Sequence, residues 1–231
     1  MGRVNKGLVP LVPAEGLADS SESRPPEYEA ERVTVRHSMR NLPPAIIRVS
    51  TLNGTAPVFA AYDRGKKEIQ LFTSADKITW GKDMSRAFEG LSRLESIDGT
   101  CFDTSKVTDM TRAFAGVVRL REMDTSGWDL NRVQRLDEAF LHCGALRLID
   151  LSGSPMTSIQ SASRAFADCY NLEELRLAPS GRSTYIGRVV AMLERSPDML
   201  ENCKSLSLSG PETPEADEVD HCRVYDDCGM R

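Results

Sequence analysis

The sequence predicts an α/β repeat solenoid, a right-handed stack of about five coils, each with one short parallel strand and a short helical turn. Three columns of residues predict it. Phe88, Phe114, Phe140 and Phe166 recur every 26 residues, and Leu94, Leu120, Leu146 and Leu172 recur in the same register. Ile97, Met123, Ile149 and Leu175 keep the same period, accompanied by Ala87, Ala113, Ala139 and Ala165 beside the phenylalanines. A repeat this short cannot bury its apolar side alone, whereas stacked copies bury one continuous core. The phenylalanine and leucine columns are therefore the expected core.

Along one repeat, Met110, Ala113 and Phe114 have the i, i+3, i+4 spacing of a helical face and predict one to two helical turns. A Leu-x-x-hydrophobic run follows, completed as Leu146-x-x-Ile149-x-Leu151 and Leu172-x-x-Leu175-x-Leu177. That is the strand signature of a leucine-rich repeat, whose period of about 20 to 29 residues includes this one. Neighbouring strands are expected to pair in parallel about 4.8 Å apart. Ahead of the first repeat, residues 58–62, a turn at 63–65 and residues 68–73 predict a hairpin that caps the core, with the cap spanning 55–77. Beyond the fourth copy, residues 198–210 resemble a fifth, with Leu200 falling 34 residues after Phe166.

These residues carry a family resemblance. FDTSKVTDMTRAFAGVVRLREMDTSGWD (102–129) and AFADCYNLEELRL (165–177) resemble the BspA-type leucine-rich repeat of bacterial surface proteins, also known from mycoplasma lipoproteins. The resemblance covers about residues 55–210, with Ala113 and Ala139 where the family has its second methionine and Gly116 where it has a cysteine. It implies a surface or secreted bacterial protein that adheres to host matrix or to another cell through a protein ligand.

Outside the repeats the composition changes. Residues 1–54 contain Pro25-Pro26, Pro43-Pro44 and the polar run at 19–23, and predict a linker or loosely ordered segment, although residues 32–36 could add a strand. Residues 211–231 predict an acidic flexible tail. The net charge of -5 resides mostly in that tail, and the near-neutral middle argues against a nucleic-acid partner, which needs a concentrated basic surface. No apolar run approaches the roughly 20 residues of a membrane-spanning helix. The first residues carry no apolar stretch of signal-peptide length, so export is not expected from this chain's own start, and a cytoplasmic location stays open.

No motif predicts catalysis. The histidines are His37, His142 and His221, without a metalloprotease, phosphate-loop or serine-hydrolase pattern around them. His142 adjoins Cys143, but Cys143 falls in an expected core column, and a nucleophilic cysteine needs partial exposure. Cys222 and Cys228 with His221 lack the second ligand pair of a structural zinc site. Neither metal nor cofactor is expected. Asp98, Asp124 and Asp150 form a further 26-residue column, read either as calcium ligands or, preferably, as acceptors for their own turns. Phe102 and Trp128 share a column too, and are either a binding patch or packing between coils. Arg112, Glu138 and Arg164 alternate in sign, while Glu95 with Arg121 and Arg147 with Glu173 predict ion pairs between neighbouring coils. The function expected from all this is a non-catalytic interaction or adhesion module, with an intracellular scaffold or regulatory protein as the alternative.

Overall fold

The 26-residue period becomes geometry through backbone pairing between successive repeats. The computed structural model describes residues 29–44, 46–48, 56–177 and 191–206. The acidic tail at 211–231, His221, Cys222 and Cys228, most of the N-terminal segment and the extra residues at 178–190 lie outside the described residues.

The strands are β1 (Arg32–Arg36), β2 (Ile47–Arg48), β3 (Val58–Asp63), β4 (Glu68–Thr73), β5 (Ile78–Thr79), β6 (Ser96–Ile97), β7 (Phe102–Asp103), β8 (Glu122–Met123), β9 (Leu148–Leu151) and β10 (Glu174–Leu177). β6 pairs in parallel with β8, Ile97 opposite Met123, and β9 pairs in parallel with β10, Ile149 opposite Leu175. On another side of the stack, β5 pairs in parallel with β7, and single parallel bridges join Asp83, Asp109, Arg135 and Ser161 in turn. Each of these bridges advances one repeat. The apolar columns consequently stand side chain on side chain. Phe88, Phe114, Phe140 and Phe166 form a file of near-parallel rings with centroids 5.1, 5.2 and 5.3 Å apart. All four are buried, as are Leu94, Leu120, Leu146 and Leu172, in one core running from Ala30 to Leu206. Burying a side chain of this size stabilises by about 1.5–3 kcal/mol, and offset ring pairs add about 0.5–1.5 kcal/mol.

The helical turns expected at Met110 to Phe114 are absent. In the first repeat the amides of Ala87, Glu89 and Leu91 donate to the carbonyls of Met84, Arg86 and Phe88, three residues back. The alternate amides, of Met84, Arg86, Phe88 and Gly90, instead donate to Asp109, Thr111, Ala113 and Ala115 of the next repeat. Left-handed backbone at Arg86, Arg112, Glu138 and Arg164 (φ 50 to 57°) makes this alternation by turning every second amide outward. Half the amides closing three-residue turns preserves the i, i+3, i+4 apolar spacing without a helix. Among the described residues only 191–195 are α-helical.

A second correction concerns the N-terminal segment. β1 is a sheet strand rather than part of a linker, and it lies between β4 and β6, parallel to both. Val33 sits opposite both Ile69 and Ile97, so it takes a place in the column that continues to Met123. The amide of Glu31 donates to Lys67 and the carbonyl of Glu31 accepts from Glu95, both at 2.8 Å, so this segment replaces a missing coil. Its Val-Thr-Val centre suits a pleated, half-buried position. β3 and β4 form the antiparallel hairpin beyond it, Val58 opposite Thr73.

A buried carboxylate ties β1 to that hairpin. Glu68 accepts from Thr34 Oγ1 and from Gln70 Nε2, each at 2.7 Å. Burial works against its charged form, but the hydrogen bonds from Gln70 and Thr34 outweigh it and hold the carboxyl below its ordinary range.

At the far end, Phe166 donates its amide to Met199 and Asp168 donates to Glu201. The last described layer therefore stands 34 residues on, with Leu200, Cys203 and Leu206 buried in the positions of Phe166, Cys169 and Leu172.

Candidate interaction surface

Three surfaces of the stack repeat once per layer, and each binds the predicted residues differently. On the strand side, the residues pointing away from the core are Ser96, Glu122, Leu148 and Glu174, followed two positions later by Asp98, Asp124, Asp150 and Arg176. Their alternation with buried Ile97, Met123, Ile149 and Leu175 follows from the pleat. This face is acidic, and Leu148 is an exposed apolar residue in its middle.

The aspartate column serves its own turns. Asp98 Oδ1 accepts the amide of Thr100 at 3.1 Å, Asp124 Oδ1 that of Ser126 at 2.9 Å and Asp150 Oδ1 that of Ser152 at 2.9 Å. Each is an Asx-type turn that fixes the chain's exit from the strand. The amide and hydroxyl of Ser126 hold Asp124 below the usual carboxylate range. For Asp150 burial pulls the other way, and Ser152 with Arg176 prevails. The second oxygen of Asp150 is paired with Arg176 at 3.3 Å, and no group of three or more His, Cys, Asp or Glu side chains suited to a metal occurs among the described residues.

Phe102 and Trp128 do not form a surface patch. Both are buried. Phe102 meets Trp80 edge-on at 5.5 Å, and Trp128 lies over Phe114 at 6.0 Å. The indole Nε1 of Trp128 donates to the carbonyl of Gly99 at 3.0 Å. A Cβ at Gly99 would overlap the carbonyl oxygen of Asp124, which is why this close approach needs glycine.

On the turn side lies an ionic ridge. Arg112 bridges Glu89 and Glu138 across three layers; away from this ridge, at the entries to β9 and β10, Arg147 pairs with Glu173 at 2.6 Å. Glu95 and Arg121 make no ion pair; the amide of Arg121 donates to the carbonyl of Glu95 instead, at 3.3 Å. The ridge ends in a cluster that the sequence did not announce. Asp168, left-handed at φ 60° and buried, accepts from Asn202 Nδ2 at 2.7 Å and from Tyr170 Oη at 3.2 Å. Arg164 and the exposed His142 complete the ring at 3.3 and 3.2 Å. The hydrogen bond to Asp168 raises the Tyr170 phenol above its ordinary value. Asp168 stands in the column of Gly90, Gly116 and His142, all left-handed, so only the run of glycines at its head hinted at the geometry.

The imidazole of His142 therefore faces a carboxylate, and Cys143 beside it is interior. Cys143, Cys169 and Cys203 form a file whose thiols donate to the carbonyls of Phe114, Phe140 and Phe166 at 3.2, 3.2 and 3.0 Å. Val117, rather than Gly116, holds the matching place one layer earlier, and it too is buried. Burial pushes the Cys143 thiol up to about 12 and the Cys203 thiol up to about 11. The Cys169 thiol is driven higher still by burial and by its two cysteine neighbours. Such thiols are packing groups and poor nucleophiles.

Residues 82–178 match a family model described as a mycoplasma protein of unknown function, DUF285. The stacked repeats are similar to a mycoplasma family. No curated protein and no solved structure matches the chain. The matched span begins just ahead of Met84 and ends with β10, so it takes in the four phenylalanine layers and leaves out β1 and the hairpin.

Proposed function

We propose that this chain is a non-catalytic protein-interaction module, a BspA-type leucine-rich-repeat solenoid that engages a protein ligand with its strand face. One observation carries the reading: the outward row Ser96, Glu122, Leu148 and Glu174 offers one side chain per layer on the parallel strand pairs β6–β8 and β9–β10, with an exposed leucine among acids. Extended repeat surfaces of this kind suit partner binding, and a central apolar residue within a polar rim is the usual anatomy of an interface. The likeness to a mycoplasma family, together with the surface-protein resemblance of residues 102–129, supports a place at the cell surface or in the secreted fraction and a ligand in host matrix or on another cell. An intracellular scaffold would use the same face, and fractionation of the producing cells separates the two locations.

The test uses the full chain against a panel of purified host matrix proteins. Saturable binding to at least one of them is expected, weakened tenfold or more by Glu122→Lys with Leu148→Lys at an unchanged melting temperature. Binding that survives those changes and disappears with Glu138→Lys would move the site to the ionic ridge, and binding to no member of the panel would overturn the adhesion reading.

A further inference from the structure

Among the described residues, one cysteine stands apart from the buried file. Cys101 is half-buried at the entry to β7, and its backbone is held there by the amide of Ile78, which donates to the Cys101 carbonyl at 2.8 Å. His37, exposed just beyond the end of β1, reaches it from 64 residues away in sequence, with Nε2 at 3.5 Å from Sγ. The other ring nitrogen, Nδ1, lies 2.8 Å from the carbonyl of Ala75. A carbonyl only accepts, so Nδ1 carries the hydrogen and Nε2 of the neutral ring presents its lone pair to the thiol. Asp98 Oδ2 sits 3.9 Å from Sγ on another side, while its Oδ1 is committed to the amide and hydroxyl of Thr100. Three separate segments thus supply a thiol, a base aimed at it and a fixed group that sets the base's tautomer, which is the arrangement of an activated nucleophile.

We propose that Cys101 is a thiol-modification site, activated by His37, that takes low-molecular-weight disulfides. In the step, the Cys101 S–H proton passes to His37 Nε2 and the thiolate attacks one sulfur of R–S–S–R. The R–S–S–R bond breaks, a Cys101–S–S–R bond forms, and the departing thiolate recovers the proton from the imidazolium. The disulfide is the oxidant and leaves as one equivalent of R–SH, so the exchange is balanced. Disulfide exchange is also the chemistry that asks least of the surroundings. Attack on a carbonyl needs donors placed for an oxyanion, whereas here the charge stays on sulfur. The three interior thiols, each covered by the stack and bonded to a phenylalanine carbonyl, serve as unreactive references within the same molecule.

The experiment treats the native full chain with glutathione disulfide and locates the adducts by peptide mass mapping over time. Cys101 should be modified at least tenfold faster than Cys143, Cys169 or Cys203. His37→Gln should slow Cys101 about tenfold at neutral pH while Cys143 stays unmodified, which shows that the variant is folded. A His37→Gln rate within twofold of the native one overturns the proposal.

Discussion

The two ends of the described stack are built on different rules. Between Met84 and Leu177 every layer meets the next at an offset of 26 residues, and the same side chains repeat at the contact. Between Glu29 and Ile97 the sheet runs β3, β4, β1, β6, so the chain lays down its first strand, leaves to make the hairpin, and returns to the other flank. The repeat region can form by nearest-neighbour contacts alone, whereas β1 is held only after segments more than 30 residues apart have met. Periodicity makes the first region robust and readable. The second depends on a few particular contacts, of which Glu68 with Thr34 and Val33 under the sheet are the centre.

The largest expected effect lies in the periodic region. Phe114→Ala should cost about 3–5 kcal/mol, because the ring is fully buried between two others and its removal opens a cavity inside the stack. Chemical denaturation gives the value, and an unmoved midpoint would show that the phenylalanine file does not hold the layers together. At the other end Val33→Ala should cost about 2 kcal/mol for the area returned to water. Hydrogen exchange distinguishes the regions here: the amides of β1 and β4 should exchange faster in this variant while those of β9 and β10 keep their protection. Equal acceleration throughout would mean that the ends share one cooperative unit.

Acid should weaken the same junction. The Glu68 carboxyl is held below its reference value of 4.5, so it contributes stability that is fully present above that pH and is lost as pH falls through the lower folded value. Glu68→Gln should therefore flatten the acid limb of the stability profile below about pH 4.5, measured by thermal melting at successive pH values. An unchanged acid limb would assign acid sensitivity to the repeats, where Asp109 is likewise held low, burial opposing and Arg135 with Thr111 prevailing. The smallest effect is expected at Arg147→Ala. Arg147 and Glu173 are well exposed, and such pairs contribute about 0–1 kcal/mol. A loss above that range would make this ion pair a structural element.

How legible each part is follows from these rules. The phenylalanine and leucine columns can be read from the chain because four copies of one packing problem have one answer, and each copy repeats it at the same interval. The short turns of Asp98, Asp124 and Asp150 are legible too, since an aspartate two residues before a serine or threonine carries its acceptor with it. The helical reading of Met110 to Phe114 fails for a physical reason: amides closing three-residue turns space the apolar side chains as a helix does, and composition does not reveal that alternate amides point to the next layer. Phe102 and Trp128 could face either way until Gly99 is seen making room for the indole. Val33, Asp168 and the meeting of His37 with Cys101 depend on contacts across unequal chain distances, and no spacing rule marks them.

The amides that leave each repeat for the next have a mechanical meaning. Their hydrogen bonds run between layers, so a pull on the two ends of the stack separates the layers one row at a time and cannot load all rows together. A 26-residue repeat drawn out to full length spans roughly 85–95 Å. A tethered chain under load would therefore lengthen in evenly spaced steps, each released layer relieving tension on those that remain.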